Sequence, residues 1–210
     1  MRTNFLFPFL LTIGLFLVLT VYPIIFVSQN SFFYKYHFSQ NTNIQSKDLE
    51  KSIQASKKIT DFLLHGNSLP VEIMSERAVV HMFDVRDIYQ RAITIPIIVC
   101  LFSLIFYYLE GAKITKKILL SGPILAITFY LILGVTGKKV FDFLFIKFHH
   151  IFYTNDLWML DPNDMLIKLY PEEFFSRLII FSAATTIVIS LILVLIFIKK
   201  INYATINSNR

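Results

Sequence analysis

The sequence predicts an α-helical integral membrane protein, with four transmembrane helices and a small extracellular α+β head formed by two long loops. The 210 residues are 55% hydrophobic and 16% charged, and a mean hydropathy of +0.61 is too high for a soluble globular domain. Four apolar stretches approach the ~20 residues that a helix needs to cross a hydrocarbon core. Residues 1–210 are therefore expected to form a single membrane domain.

The four predicted spans lie at about residues 5–27, 92–109, 118–135 and 178–198, and none of them contains a charged side chain. The second and third are short, so we expect them to cross with little tilt. The first resembles a signal peptide in position, but its apolar run is longer than a signal core and no small-residue cleavage site follows it. We therefore expect an uncleaved first span.

The distribution of charge orients these spans. The long loops 28–91 and 136–177 carry net charges of +1 and −1, whereas the N-terminus, the loop 110–117 and the tail 199–210 together carry +6. The positive-inside rule makes that basic side cytoplasmic, with both termini inside and both long loops outside. The lysines then face anionic lipid, so the basic pI does not indicate nucleic-acid binding.

The first long loop begins with residues 31–38, which are rich in Phe and Tyr and alternate in part. This pattern predicts a strand or an interfacial aromatic girdle. Residues 46–64 place apolar side chains at helical spacing among lysines and carboxylates, which predicts an amphipathic helix. Gly66 is expected to end that helix.

A second helix is predicted from Ser75 onwards. Ser75 is a suitable N-cap, and Glu76 places an acidic group in the first turn. The helix should run through His81 towards Arg91 and continue into the second span, because no Gly or Pro interrupts it before Pro96.

The second long loop begins with a predicted helix over 138–153. Four of its five phenylalanines form one stripe, at positions 141, 145, 148 and 152. Residues 155–164 are acidic and rich in turn formers. Pro171 can start the last helix, with Glu172 and Glu173 favourably placed in its first turn.

Two histidine-bearing segments outside the spans are candidates for chemistry. On the predicted helix, Arg77 and Asp84 lie on the same face as His81. A carboxylate beside an imidazole raises its basicity, as a general base requires. In the second segment His149 is the stronger candidate, because His150 points about 100° away. Each histidine also has a purely structural interpretation. His81 could bond to a backbone carbonyl or face solvent, and His149 could be an interfacial side chain among aromatic residues.

Other catalytic signatures are absent from the sequence: it contains no nucleophile elbow, zinc-protease motif, phosphate loop or dinucleotide fingerprint. A zinc site from His81, His149 and an acid is a weaker alternative, since the spacing is not diagnostic. Trp158 fits a membrane belt better than a substrate clamp. Asp161 and Asp164 fit a capped turn better than a cation site.

An ordered set of residues in the two loops resembles a known family. The set contains Glu76, His81, Met82, Asp84 and Val85, then Phe148, His149, Ile151, Phe152, Tyr153, Asn155, Trp158, Asp161, Pro162, Asp164, Leu166, Ile167, Pro171, Phe174 and Phe175. In order, spacing and four-span layout it resembles the lipoprotein intramolecular transacylases of low-GC Gram-positive bacteria. Tyr153 departs from the pattern, since the family more often has Phe there.

The resemblance implies a plasma-membrane acyltransferase that works at the outer leaflet without a cofactor or a metal. It would move the sn-2 acyl chain of a diacylglyceryl lipoprotein to the α-amine of the same N-terminal cysteine, giving the lyso-form. We expect His81, held by Asp84, to take the amine proton and His149 to donate to the leaving glycerol oxygen or polarise the ester carbonyl, although the sequence leaves open which histidine is the base and which the acid. The remaining site residues are expected to be Glu76 and Arg77 as supporting groups and Asn155, Trp158, Asp161 and Asp164 as substrate-binding candidates.

Beyond the substrate and membrane lipids we expect no partner, no nucleic acid and a monomer. Two rival functions remain open at this point. A non-enzymatic membrane sensor or assembly protein would tolerate substitution of both histidines. A metal-dependent interfacial hydrolase would be inhibited by chelators.

Overall fold

The computed structural model describes residues 6–41, 44, 46–109, 116–135 and 137–208. The predicted loop 110–117, the polar segment before residue 46 and the two chain ends fall partly outside these residues. The described α-helices are α1 (Leu6–Ser28), α2 (Ser31–Ser39), α3 (Leu49–His65), α4 (Glu76–Leu109), α5 (Lys116–Val135), α6 (Gly137–Phe152), α7 (Met165–Leu169) and α8 (Glu172–Ser208), with 3-10 turns at Ser46–Asp48 and Val71–Ile73.

The chain forms two compact units. The membrane unit comprises Met1–Pro23, Ile93–Val135 and Phe181–Arg210, and the loop unit comprises Ile24–Ala92 and Thr136–Ile180. Of the described helices, four are long and apolar enough to cross a membrane: α1, α4, α5 and α8. The predicted class of a helical membrane protein with four apolar helices is therefore confirmed.

Close contacts at two glycines bring the helices of the membrane unit together. A Cβ on Gly14 would lie 2.8 Å from Sγ of Cys100, and a Cβ on Gly122 would lie 2.5 Å from Cβ of Leu15. Small residues let helix backbones approach in lipid, where apolar burial gives little driving force. Glycine at positions 14 and 122 therefore permits the close α1–α4 and α1–α5 contacts, because a Cβ at either position would clash with the neighbouring helix.

Hydroxyl groups add hydrogen bonds inside the membrane unit. Thr186 Oγ1 donates to the Leu19 carbonyl at 2.8 Å, and the Tyr130 hydroxyl donates to the Thr20 carbonyl at 3.1 Å. Such bonds between transmembrane helices contribute about 0.6 kcal/mol each on average. They tie α8 and α5 to consecutive carbonyls of α1.

The expected α+β head is wrong, because the described residues contain no strand and the segment predicted as one forms α2. Asn30 caps this helix, and its side-chain oxygen accepts the Phe32 N–H at 2.8 Å. The cap satisfies a backbone N–H of the first helical turn, which in a strand would instead bond to an adjacent strand. The buried side chains of α2 follow helical spacing: Phe33, Tyr34, His37 and Phe38.

A buried polar pair joins α2 to α8 in the loop unit. His37 is fully buried, and the Arg177 guanidinium donates to its Nδ1 at 3.0 Å. Burial lowers the pKa of His37 to about 4, and the positive charge of Arg177 adds to the effect. The imidazole is therefore neutral at pH 7 and acts as an acceptor.

The other predicted caps and helices of the loop unit are confirmed. Gly66 adopts a φ of 75° and donates its N–H to the Phe62 carbonyl at 2.9 Å, which ends α3. Ser75 Oγ accepts the Ala78 N–H at 3.2 Å at the start of α4. Helix α4 then continues without interruption to Leu109, with Pro96 inside it.

Candidate active site

His81 lies in the second turn of α4 and is only 7% exposed. Its ring packs edge-on against Tyr153, with 4.9 Å between centroids, and its centroid lies 6.4 Å from that of His149. Among the described residues, Nδ1 of His81 is buried and has no hydrogen-bond partner. Leaving a buried polar atom unpaired lowers the stability of the folded protein. In native proteins such an unpaired buried group can indicate a functional role.

Burial lowers the pKa of His81 to about 4. The nearby His149 lowers it further, and the carboxylate of Asp84 opposes both effects. His81 is therefore a neutral imidazole at pH 7, able to donate one N–H and to accept at the other nitrogen.

His149 lies near the end of α6 and is 9% exposed. Its Nδ1 is 2.7 Å from the carbonyl oxygen of Phe145, one turn earlier in the same helix. Because a carbonyl only accepts hydrogen bonds, the ring proton must be on Nδ1, which leaves a lone pair on Nε2. Burial lowers the pKa of His149, the bond to Phe145 opposes this, and the charge of His150 reinforces it.

Aromatic rings enclose the two imidazoles. The Tyr153 ring lies 5.5 Å from that of His149 as well as against His81, and Trp158 lies 4.8 Å from His149. Tyr153 is buried, and burial followed by the charge of Asp84 raises the pKa of its hydroxyl far above the usual value. The phenol is therefore a neutral group that can donate a hydrogen bond.

Asp84 and Asn155 form a bridge between α4 and the turn that follows α6. The Asn155 side-chain amide donates to Oδ2 of Asp84 at 3.0 Å, and Oδ1 of Asn155 accepts the Leu157 N–H at 2.9 Å. Within the described residues Asp84 makes no hydrogen bond to His81. The expected orienting contact is replaced by a longer-range effect of the Asp84 charge on the pKa of His81.

Glu76 and Arg77 lie exposed at the start of α4. Arg77 donates to the backbone carbonyl of Asp156, which ties the helix start to the turn after α6. Neither side chain forms a hydrogen bond with His81 in the described part of the chain. The structure therefore places both at the edge of the site.

Asp161 and Asp164 bond to backbone groups. Oδ1 of Asp161 accepts the Asn163 N–H at 2.7 Å. The buried Asp164 caps α7 by accepting the Leu166 N–H at 2.8 Å, and its other oxygen accepts the Ser75 N–H at 3.3 Å. Both carboxylates thus hold the turn in place. In the described residues no group of three or more His, Cys, Asp or Glu side chains is arranged to hold a metal ion.

A small polar cleft lies beside the histidine pair. Its volume is about 120 Å³. Its lining residues come from one face of α4 and from the end of α6 and the turn after it: Asp84, Asp87, Ile88, Arg91, Phe152, Tyr153, Thr154 and Asn155. Tyr153 therefore borders both the cleft and the two imidazoles.

The family comparison matches residues 5–175 to the lipoprotein intramolecular transacylase Lit. The chain belongs to this family. The matched range includes both histidine-bearing segments, and the resemblance drawn from the loop motifs is confirmed. Comparison with curated protein sequences gives no significant match.

Solved structures similar to this chain include three of the lipoprotein intramolecular transacylase Lit from Bacillus cereus. One covers 94% of this chain and 97% of its own, with 20% identity and a TM-score of 0.69. A variant of that protein with a histidine-to-arginine mutation gives a TM-score of 0.72 at 19% identity, covering 96% and 93%. A histidine-to-alanine variant gives 0.70 at 17% identity, covering 96% and 94%. The chain thus shares the fold of a membrane-integral transacylase.

Proposed function

We propose that this protein is a membrane acyltransferase that moves the sn-2 acyl chain of a diacylglyceryl lipoprotein to the α-amine of the same N-terminal cysteine. The product is the lyso-form lipoprotein, with one acyl chain on glycerol and one in an amide. The observation that carries the proposal is the pair of buried imidazoles, His81 and His149, in a chain of the transacylase family.

His149 is the better general base of the two. The bond from Nδ1 to the Phe145 carbonyl fixes its tautomer, so Nε2 is the nitrogen that accepts a proton. Burial lowers its pKa and keeps it neutral and ready to accept at pH 7. This assignment exchanges the roles expected from the sequence, in which His81 was the base.

The reaction follows from this arrangement. The free amine of the cysteine attacks the ester carbonyl, and the new C–N bond leaves a positive charge on nitrogen and a negative charge on oxygen. Nε2 of His149 takes a proton from that nitrogen. When the C–O bond to glycerol breaks, His149 returns the proton to the leaving oxygen, so atoms and charges balance. Amine and ester belong to one molecule, so proximity supplies much of the acceleration.

His81 stabilises the oxyanion in this proposal. It is neutral and buried, so it offers one N–H where water is scarce and a hydrogen bond to a developing charge is strong. Trp158 and Asn155 border the substrate beside the histidine pair. Glu76, Arg77, Asp161 and Asp164 support the site by fixing the start of α4 and the turn. The catalysis requires no metal and no cofactor.

We place the site at the outer leaflet of the plasma membrane, with both termini cytoplasmic. The support is the charge distribution: the loops 28–91 and 136–177 are nearly neutral and the remaining segments carry +6. The reacting ester and amine of a membrane-anchored lipoprotein lie at headgroup depth on that side. We propose that a single chain suffices for the reaction, since both histidines belong to one chain.

Mass spectrometry of a reporter lipoprotein tests the function. The host should make only the diacylglyceryl form, with and without this protein. We expect a product of unchanged mass whose fragmentation places one acyl chain on the cysteine nitrogen. Persistence of the diacylglyceryl form, with the protein present in the membrane, would favour a non-enzymatic role. Loss of a chain without N-acylation would indicate a hydrolase.

Single substitutions test the histidine roles in the same assay. His149→Asn keeps an amide near the Nδ1 position and removes Nε2, so we expect the rate to fall about 10²–10⁴-fold with the protein still folded. His81→Ala should cause a loss of similar size. The matched control is His150→Asn, because His150 is the exposed neighbour of His149 on the same helix. Near-normal rates in both site variants would remove the histidines from the mechanism.

A further inference from the structure

The cleft beside the histidine pair contains two carboxylates with different partners. Asp87 forms an ion pair with Arg91, at 2.7 Å between carboxylate oxygen and guanidinium nitrogen. Asp84 lies one turn earlier on α4 and accepts the side-chain amide of Asn155 at 3.0 Å. Within the described residues no lysine or arginine lies within ion-pair distance of Asp84. In the described part of the chain the cleft therefore contains one half-buried carboxylate, that of Asp84, without a side-chain ion pair.

The surroundings of Asp84 fit a compact cation with several N–H donors. A carboxylate has about four acceptor positions, and the Asn155 amide uses one of them. Asp84 lines a cleft of about 120 Å³, a volume that suits a small head group. A primary ammonium has three donors on a single atom. Charge, donor number and size therefore indicate the same ligand class.

The cleft also adjoins the reacting groups. Tyr153 lines it, and the ring of this residue contacts His81 at 4.9 Å and lies 5.5 Å from His149. A group bound at Asp84 is thus separated from the imidazoles by a single aromatic side chain. This position suits the part of the substrate that must reach the histidines during the reaction.

We propose that Asp84 binds the α-ammonium group of the substrate's N-terminal cysteine in this cleft. This inference rests on the proposed function and assigns the carboxylate to the substrate, in place of the expected orienting role towards His81. An ion pair between the partly buried carboxylate and the ammonium holds the cysteine nitrogen in the cleft. The ammonium then releases one proton to solvent water, and the free amine attacks the ester as described above. It also makes the enzyme selective for lipoproteins with a free N-terminus, since an acylated amine has no charge.

Binding of two unreactive probes tests the proposal. Both are dialkylglyceryl lipopeptides with ether links in place of esters, labelled with a fluorophore at the peptide C-terminus. One has the free α-amine, and the other has hydrogen in its place. Fluorescence anisotropy with the detergent-solubilised full chain gives the two dissociation constants. We expect the wild type to bind the amine probe about tenfold more tightly, as for a charge-assisted hydrogen bond.

Variants assign this preference to Asp84. Asp84→Asn should bind both probes equally, and Glu50→Gln, which neutralises an exposed carboxylate of α3 outside the cleft, should keep the tenfold ratio. Two further measurements apply if Asp84→Asn fails to fold. Asp84→Glu retains the charge and should keep most of the preference for the amine probe. An N-acetylated probe should bind the wild type as weakly as the desamino probe. Equal affinities in the wild type, or an unchanged ratio in Asp84→Asn, would overturn the inference.

The two proposals fail in different ways. Conversion of the ester substrate by the wild type, together with equal probe affinities, would leave the transacylase function standing and refute only the role of Asp84. Absence of conversion by the wild type refutes the function, and the inference with it.

Discussion

Acidification should destabilise this protein through two buried histidines. His81 and His37 each have a folded-state pKa of about 4, compared with 6.5 for the ordinary side chain. Between these values the unfolded chain binds more protons than the folded protein, so stability rises with pH through this window and falls as the pH drops below 6.5. At pH 5, which is 1.5 units below 6.5, each histidine should have removed about 2 kcal/mol, at ~1.36 kcal/mol per unit.

The measurement is the free energy of unfolding in detergent at pH 7 and pH 5, for the wild type, His81→Asn, His37→Asn and the double variant. Each single substitution should reduce the pH-dependent loss by about 2 kcal/mol, and the double variant by about 4 kcal/mol. The comparison is made within each variant, so a loss of stability common to both pH values does not affect it. An unchanged pH-dependent loss in His81→Asn would refute the argument that burial holds this imidazole neutral.

Three further substitutions test packing, capping and the buried polar pair by unfolding measurements. Gly122→Ala places a Cβ 2.5 Å from that of Leu15 and should cost about 1–3 kcal/mol. Gly134→Ala in the same helix has nothing within 4 Å and should change little, so equal effects would contradict the close contact. Asp164→Ala removes the cap of α7 and should cost about 1–2 kcal/mol. Arg177→Met removes the donor to the buried imidazole of α2 and should cost about 1–3 kcal/mol, and a neutral outcome would show that the pair is dispensable.

The apolar helices, the α3 helix and the caps at Ser75 and Gly66 could be predicted because each depends on local sequence. Helix α2 could not be predicted in this way. Its exposed positions 32 and 36 are aromatic as well, so the helical spacing of its buried aromatic residues is not visible in the sequence. Phe32 is 69% exposed and Tyr36 is 41% exposed, while the side chains between them are buried or charged. Hydrophobicity alone therefore could not identify the buried face.

The sequence predicted two candidate histidines, which the structure brings to 6.4 Å between ring centroids, but it could not predict the contacts around them. The bond from Asn155 to Asp84 joins residues 71 positions apart, which no local pattern specifies. On α6 the predicted phenylalanine stripe is only partly buried, with Phe148 40% exposed, whereas His149 is buried. Tyr153 lies four residues after His149, and this helical spacing is the signal that could have placed the two rings together.

The bond between His149 and Phe145 means that the two imidazoles acquire their chemical states at different stages of folding. Donor and acceptor lie four residues apart on α6, so the proton of His149 is fixed as soon as that helix forms. The neutrality of His81 depends on burial against side chains that are distant in sequence. In a partly folded chain the tautomer of His149 would therefore already be set, whereas both imidazoles would still titrate as solvated groups until tertiary contacts bury them.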